Sequence, residues 1–235
     1  MARSQRFQPH YSLPLMAMRL LLSIIALLIA SASSSDDLLA PTDSVITIAA
    51  GCFWSVELFF QRLPGVVQTQ VGYTGGHVQT GSIDYERVLT GDTGHAESVR
   101  VAFDPAKTNA HELYRFFFDI HDATTLNRQL GDHGTQYRSA IFVHNDEQRK
   151  AAHEAMEEEQ AQLKRKIVTQ IVEATQWWPA EDYHQKYLEK GGQDSTKGSL
   201  RPIQCYGNSA LIKNPELMLT AASKKLLLGT DEGEL

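Results

Sequence analysis

Cys52 stands in the stretch AAGCFWSVELFF, Ala49 to Phe60, where a strand-like apolar run meets a helix-like one. A cysteine at a helix start faces backbone N–H groups that lack intrahelical partners, and it faces the positive end of the helix dipole. Both favour the thiolate and hence nucleophilic attack. Gly51 leaves room beside the sulfur for a substrate. A lone cysteine is also commonly a small buried hydrophobe, so position alone leaves packing and catalysis both open. Phe53 and Trp54, adjacent on the first turn, cannot both face one core, which leaves one of them to line a pocket. The second cysteine, Cys205, lies in STKGSLRPIQCYGN, Ser195 to Asn208. That stretch is rich in Gly, Ser and Pro and reads as a mobile surface segment. A thiol there suits a resolving role, in which it travels to a nucleophile's sulfur and is then exposed to a reductant.

Two further groups carry acid–base potential. Glu97 opens a strand directly after Gly94-His95-Ala96. If burial raised its pKa it would serve as a general acid, although spacing alone favours a solvated strand-end glutamate. In GDHGTQYRSA, Gly131 to Ala140, two glycines bracket Asp132-His133, and Tyr137 precedes a strand. A tyrosine hydroxyl donates hydrogen bonds to a polar oxygen in an apolar pocket; the plainer reading is a turn followed by an ordinary strand tyrosine. His77, His95, His121, His133 and His184 show no zinc-binding spacing, and no C-x-x-C pair accompanies them. They read as loop-holding residues.

The elements that would position these groups follow from hydrophobic period and punctuation. Strands are expected at VITIAA from Val45, at Val66–Tyr73, at Glu97–Phe103 and at Ser139–His144. Helices are expected at Phe53–Gln61 and after Asn109, which caps AHELYRFFFDIH. Thr74–Ser82 is a glycine-rich loop. This β-α-β-β-α-β order predicts an α+β fold, a ferredoxin-like split βαβ plait in a two-layer sandwich. A charged helix from Asn145 to Lys166, a strand in IVTQIVEA and a short helix in EDYHQKYLEK extend it. The tail after Leu211 reads as peripheral.

The chain has 235 residues, 42% hydrophobic and 21% charged, and a formal net charge of −6. A core of that size needs no disulfide or metal to hold it. The acidic balance argues against a nucleic-acid partner. Arg3, Arg6 and Arg19, the apolar run Leu20–Ala30 and the small residues after it read as a secretory signal peptide. The apolar run is too short for a membrane span. The expected organisation is a signal peptide over residues 1–32, a linker over 33–43, a catalytic domain over 44–208 and a tail over 209–235. The expected location is the secretory pathway, with organelle targeting as the alternative, and the expected state is a monomer.

GCFWSVE, GYTGG, GDTGHAE, His121-Asp122, DHGTQYRSA and EDYHQKYLEKGG, in this order, resemble the peptide methionine sulfoxide reductase A family from about Val45 to Gly207. HQKYLEKGG and RPIQCYG are most similar to its plant-type branch. The resemblance implies reduction of methionine-S-sulfoxide in oxidised proteins, and free, to methionine. Cys52 would be the nucleophile. Phe53 and Trp54 would hold the S-methyl group. Tyr85, Glu97 and Tyr137 would bind and polarise the sulfoxide oxygen, with Asp132 in support. Cys205 would resolve the Cys52 sulfenic acid to a disulfide. No metal or organic cofactor is implied; the electron donor would be thioredoxin or another dithiol. The plant-type branch often carries a second tail cysteine where this chain has Ser199, so Cys205 would have to both resolve Cys52 and face the reductant. Two other classes use the same residues: a redox switch without turnover, and a secreted domain stapled by a Cys52–Cys205 disulfide.

Overall fold

A computed structural model describes residues 39, 44–205, 212–213 and 215–229. The expected signal peptide lies outside the described residues, as does nearly all of the linker.

The site is carried by a central sheet. Its six strands are β1 (Val45–Ala50), β2 (Val66–Thr74), β3 (Ala96–Phe103), β4 (Ser139–Val143), β5 (Gln170–Glu173) and β6 (Trp178–Pro179), in the order β5-β4-β1-β3-β2-β6. The β4–β5 pair is parallel and every other pair antiparallel. The result is a mixed α/β domain. Strand alternation gives the sheet two chemically different faces. Ile46, Ile48, Val71, Val99, Val101 and Ile141 join the main core. Ala49, Ala96, Ala140 and Phe142 form a smaller cluster on the other side.

Helices cover the first face. They include α1 (Phe53–Gln61), α2 (Tyr85–Leu89), α3 (Ala110–Asp119), α4 (Asp146–Gln162), α5 (Tyr187–Lys190) and α6 (Ala221–Leu228). Phe59 and Phe60 of α1 meet Phe116 of α3 edge to face, with ring centroids 6.2 and 5.3 Å apart. Such pairs add about 0.5–1.5 kcal/mol each beyond their burial. Asn109 caps α3 as expected, accepting from Glu112 N–H at 3.0 Å.

Three expectations are corrected. The charged helix stops at Gln162, not Lys166. Leu163 turns extended, and the Gln160 side chain takes over the local bonding, donating to the carbonyls of Leu163 and Arg165 and accepting from Ile167 N–H. The helix α2 was not anticipated. Asp84 caps it by accepting from Arg87 N–H at 2.9 Å; an Asp cap with Glu86 in the first turn was the available signal. The tail is not wholly peripheral. Thr220 caps α6, and Asp119 accepts from both its N–H and its hydroxyl, at 2.8 and 2.7 Å. Leu219 and Leu227 are thereby buried in the main core. Residues 209–211, 214 and 230–235 of the tail lie outside the described residues.

Candidate active site

Gly51 makes the turn that presents Cys52. It has a φ of +88°, a region other residues enter only under strain, and a β-carbon there would stand 2.6 Å from Gln129 Cβ. Cys52 then occupies the cap position of α1 without making a side-chain cap bond. The unsatisfied helix-start donor goes instead to the sheet. Phe53 N–H donates to Glu97 Oε2 at 3.0 Å. The start of the Cys52 helix and the Glu97 carboxyl are therefore joined through one backbone group.

Glu97 lies on the core-facing side of β3, directly opposite Tyr73 on β2. It is 2% exposed, not the solvated strand-end residue that spacing favoured. Its pKa is pushed up to about 8, chiefly by burial. The Phe53 N–H pulls it down; the charge of Asp132 and the Cys205 thiol push it further up. Tyr85 is raised to about 12 by burial, then by the charges of Glu97, Cys52 and, less strongly, Asp132. Tyr137 is raised by burial, then by Glu97, Tyr85 and Asp132. Glu97 and Asp132 act on both tyrosines, and Asp132 acts on Glu97, so the four oxygen-bearing side chains anticipated from sequence, Tyr85, Glu97, Asp132 and Tyr137, lie near one another. At neutral pH the cluster holds a protonated acid and two phenol donors around a sulfur.

The thiolate expectation for Cys52 is corrected. Its pKa is raised well above the ordinary thiol value. The largest cause is a hydrogen bond with the Cys205 side chain; burial follows, then the charges of Glu97 and Cys205. The Trp54 N–H at the helix start acts in the lowering direction and is outweighed. The helix-terminus argument had the right sign for that one group, but nothing in the spacing showed a second thiol and a buried carboxyl beside it.

Cys205 is likewise not on a loose segment. It is 2% exposed and follows the short strand Ile203–Gln204. The preceding loop is tied to the far end of α1. Buried Arg62 donates to the carbonyls of Asp194 and Arg201 at 2.8 and 2.7 Å. Lys197 Nζ donates to the carbonyls of Gln61 and Val66, both at 2.7 Å. Ser199 donates to Asp194 Oδ2 at 2.8 Å. The helix that begins at Cys52 thus ends by anchoring the loop that delivers Cys205. No disulfide joins the two cysteines here.

Phe53 and Trp54 differ in burial, and both pack with the main core. Phe53 is buried, with its ring 5.9 Å from Tyr73 and 5.2 Å from His184. Trp54 is half-buried and stacks on Tyr187 at 4.0 Å, 15° from parallel. Its Nε1–H donates to His184 Nδ1 at 3.0 Å.

Sequence reasoning missed the supports behind this wall. Glu181 accepts from the Tyr73 hydroxyl at 2.9 Å and from Tyr85 N–H at 2.8 Å. His184, read only as one of five histidines, contacts the rings of Phe53, Trp54, Tyr85 and Tyr183. Both lie in EDYHQKYLEKGG, one of the blocks that carry the resemblance, but nothing in that block gave either a role, because Tyr73 and Tyr85 lie 108 and 96 positions from Glu181, and Trp54 lies 130 from His184. Two of the other histidines hold backbone: His95 accepts from Gly76 N–H and donates to Val78 O, and His121 bonds Phe117 O. Among the described residues no group of three His, Cys, Asp or Glu side chains is arranged to hold a metal ion.

The family model described as peptide methionine sulfoxide reductase matches residues 44–205. The chain is 54% identical over 159 residues to peptide methionine sulfoxide reductase A2-1 of Oryza sativa subsp. japonica, covering 68% of this chain and 84% of that protein. It is 50% identical over 177 residues to peptide methionine sulfoxide reductase A4, chloroplastic, of Arabidopsis thaliana, covering 73% and 68%. Among solved structures, Mxr1 from Saccharomyces cerevisiae in reduced form superposes with a TM-score of 0.60 at 40% identity, covering 64% of this chain and 86% of that one.

Proposed function

The chain belongs to the peptide methionine sulfoxide reductase family, in its plant-type branch, and from that premise we propose how its own residues carry out the reduction of methionine sulfoxide to methionine. The observation that carries the assignment of roles is the buried Glu97 carboxyl, bonded to the first amide of the Cys52 helix and raised to about 8. A sulfoxide oxygen leaves only when protonated. Glu97, largely protonated at neutral pH, supplies that proton. The phenols of Tyr85 and Tyr137 donate hydrogen bonds to the same oxygen as charge develops on it. Trp54 and Phe53 receive the S-methyl group and orient the sulfur toward Cys52.

The sulfur of Cys52 attacks the sulfoxide and takes its oxygen together with the Glu97 proton, while the thiol's own proton passes to the Glu97 carboxylate. Methionine departs and Cys52 becomes a sulfenic acid. The Cys205 thiol then condenses with it, forming the Cys52–Cys205 disulfide and releasing water. The thiol–thiol hydrogen bond supports this step, because the resolving sulfur is already at hand. A dithiol of the thioredoxin type reduces the disulfide by exchange. The S epimer is the substrate we propose. The apolar run Leu20–Ala30 supports entry into the secretory pathway, where another thioredoxin-fold protein would be the donor. The order β4-β1-β3-β2, antiparallel throughout, supports reading the centre of the sheet as a ferredoxin-like plait.

The test is direct. The reduced protein is given a methionine sulfoxide peptide and dithiothreitol, and methionine is measured against a Cys52→Ser control. Methionine formation well above the control is expected; none above it would end the reading.

A further inference from the structure

One buried ionisable side chain on the catalytic helix has no part in these steps. Glu57 lies one turn beyond Trp54 on α1 and is 1% exposed. Both its oxygens are engaged. Oε1 accepts from the Thr69 hydroxyl at 3.0 Å, and Oε2 accepts from Lys186 N–H at 2.8 Å. Burying a carboxyl against two neutral donors is costly, and an apolar side chain would fill the same space. The segment that Glu57 holds accounts for its presence.

Lys186 has φ 53° and ψ 38°, the left-handed region that a β-carbon disfavours. This turn separates His184 from Tyr187. The first accepts Trp54 Nε1–H at the edge of the indole, and the second stacks on its face. Gln185 fastens the entrance to the turn on β2, donating to Val71 O and accepting from Val71 N–H, both at 2.9 Å. Glu57 fastens the exit. Trp54 and Glu57 are three residues apart, so one face of α1 grips the segment from both ends.

We propose that Glu57 is a positioning residue for substrate binding: its carboxyl fixes the left-handed turn at Lys186, which seats His184 and Tyr187 against Trp54 and so sets the wall that receives the S-methyl group. Glu57 touches no substrate. The proposal rests on Trp54 being that wall.

The test is single-turnover reduction of a methionine sulfoxide peptide by the reduced full-length protein, with rate followed against peptide concentration. E57Q keeps the reach and an acceptor for Lys186 N–H, while its amide can donate to Thr69; half-saturation is expected within about twofold of wild type. E57D is one methylene too short to serve both partners. Its half-saturation is expected to rise about tenfold, with the maximal rate held within about threefold. Glycine adopts the left-handed turn without help, so K186G added to E57D is expected to restore half-saturation to within about threefold. That double variant also carries the comparison if E57D alone does not stay folded. Urea melts accompany each protein. A destabilised E57D with unchanged half-saturation would make Glu57 merely structural and overturn the proposal, as would an E57Q as impaired as E57D or a folded double variant that stays impaired. W54A separates the two levels. If W54A leaves half-saturation unchanged, the wall reading falls and this proposal with it; if W54A raises it and E57D does not, only the role of Glu57 falls.

Discussion

Glu97→Gln keeps the shape of the side chain and an acceptor for Phe53 N–H, and removes the ionisable proton. The carboxyl is raised from 4.5 to about 8 in the folded protein, chiefly by burial. Below about pH 4.5 it is protonated in both folded and unfolded chains, and it makes no pH-dependent contribution there. Between about 4.5 and 8 the unfolded chain ionises while the folded protein holds its proton, so wild type loses stability relative to the glutamine variant as pH rises. Above about 8 the gap is constant. A shift of this size corresponds to roughly 5 kcal/mol at the plateau. Tyr85, Tyr137 and Cys52 are raised in part by the Glu97 charge, but burial also raises each of them and keeps them protonated over this range in both proteins, so the difference is set chiefly by Glu97 itself. The assay is urea denaturation of both proteins at pH 5 and pH 9. The variant should be close to wild type at pH 5 and several kcal/mol more stable at pH 9. Catalysis moves the other way: single-turnover reduction at pH 7 should fall roughly 10²- to 10⁴-fold with loss of the general acid. A stability gap that does not change with pH would refute the buried neutral carboxyl. A near-normal rate would refute its role as acid.

Other perturbations probe the remaining parts of the site. Cys205→Ala removes the largest upward influence on Cys52, so the midpoint of the pH profile for iodoacetamide alkylation at Cys52, followed by mass spectrometry, should move down; an unmoved midpoint would count against the thiol–thiol contact. Cys205→Ser should complete one turnover and then stall with thioredoxin but not with dithiothreitol, and sustained thioredoxin-driven turnover would remove Cys205 as the resolver. Asp84→Ala strips the cap from α2 and should cost about 1 kcal/mol in a urea melt, with slower reduction because Tyr85 is the first residue of that helix. Gly51→Ala forces a β-carbon to within 2.6 Å of Gln129 Cβ at a φ of +88°, and a loss of about 2 kcal/mol or more is expected by the same melt.

What was legible in the sequence was whatever depends on near neighbours. The VITIAA strand, the Phe53–Gln61 helix and the Asn109 cap follow from period and cap chemistry within about ten residues. The residues that meet at the sulfur were legible only as a set of separated blocks, and their convergence needed the resemblance. Three features stayed hidden for one physical reason. The Cys205 contact that most raises Cys52, the tethering of the Cys205 loop by Arg62 and Lys197, and the support of Trp54 by His184 and Tyr187 all come from partners more than 125 positions distant. Composition pointed the wrong way for the loop: a Gly-, Ser- and Pro-rich stretch reads as mobile until a buried guanidinium is found to hold its carbonyls.

The contact between the two sulfurs serves one half of the cycle at the expense of the other. Resolution of a sulfenic acid benefits from a thiol already at hydrogen-bond range. The same thiol, with burial, holds Cys52 protonated and so slows its attack. The site offsets this through Glu97. A neutral Glu97 places no charge beside Cys52, and with its pKa pushed up to about 8 the carboxyl is mostly protonated at pH 7. On the proposed roles, burial of Glu97 acts twice: it keeps a proton ready for the sulfoxide oxygen, and it withholds a negative charge from Cys52. Once that proton passes to oxygen, the carboxylate left behind still has the Phe53 N–H at 3.0 Å to hold it, the one donor that belongs to the same helix start as Cys52.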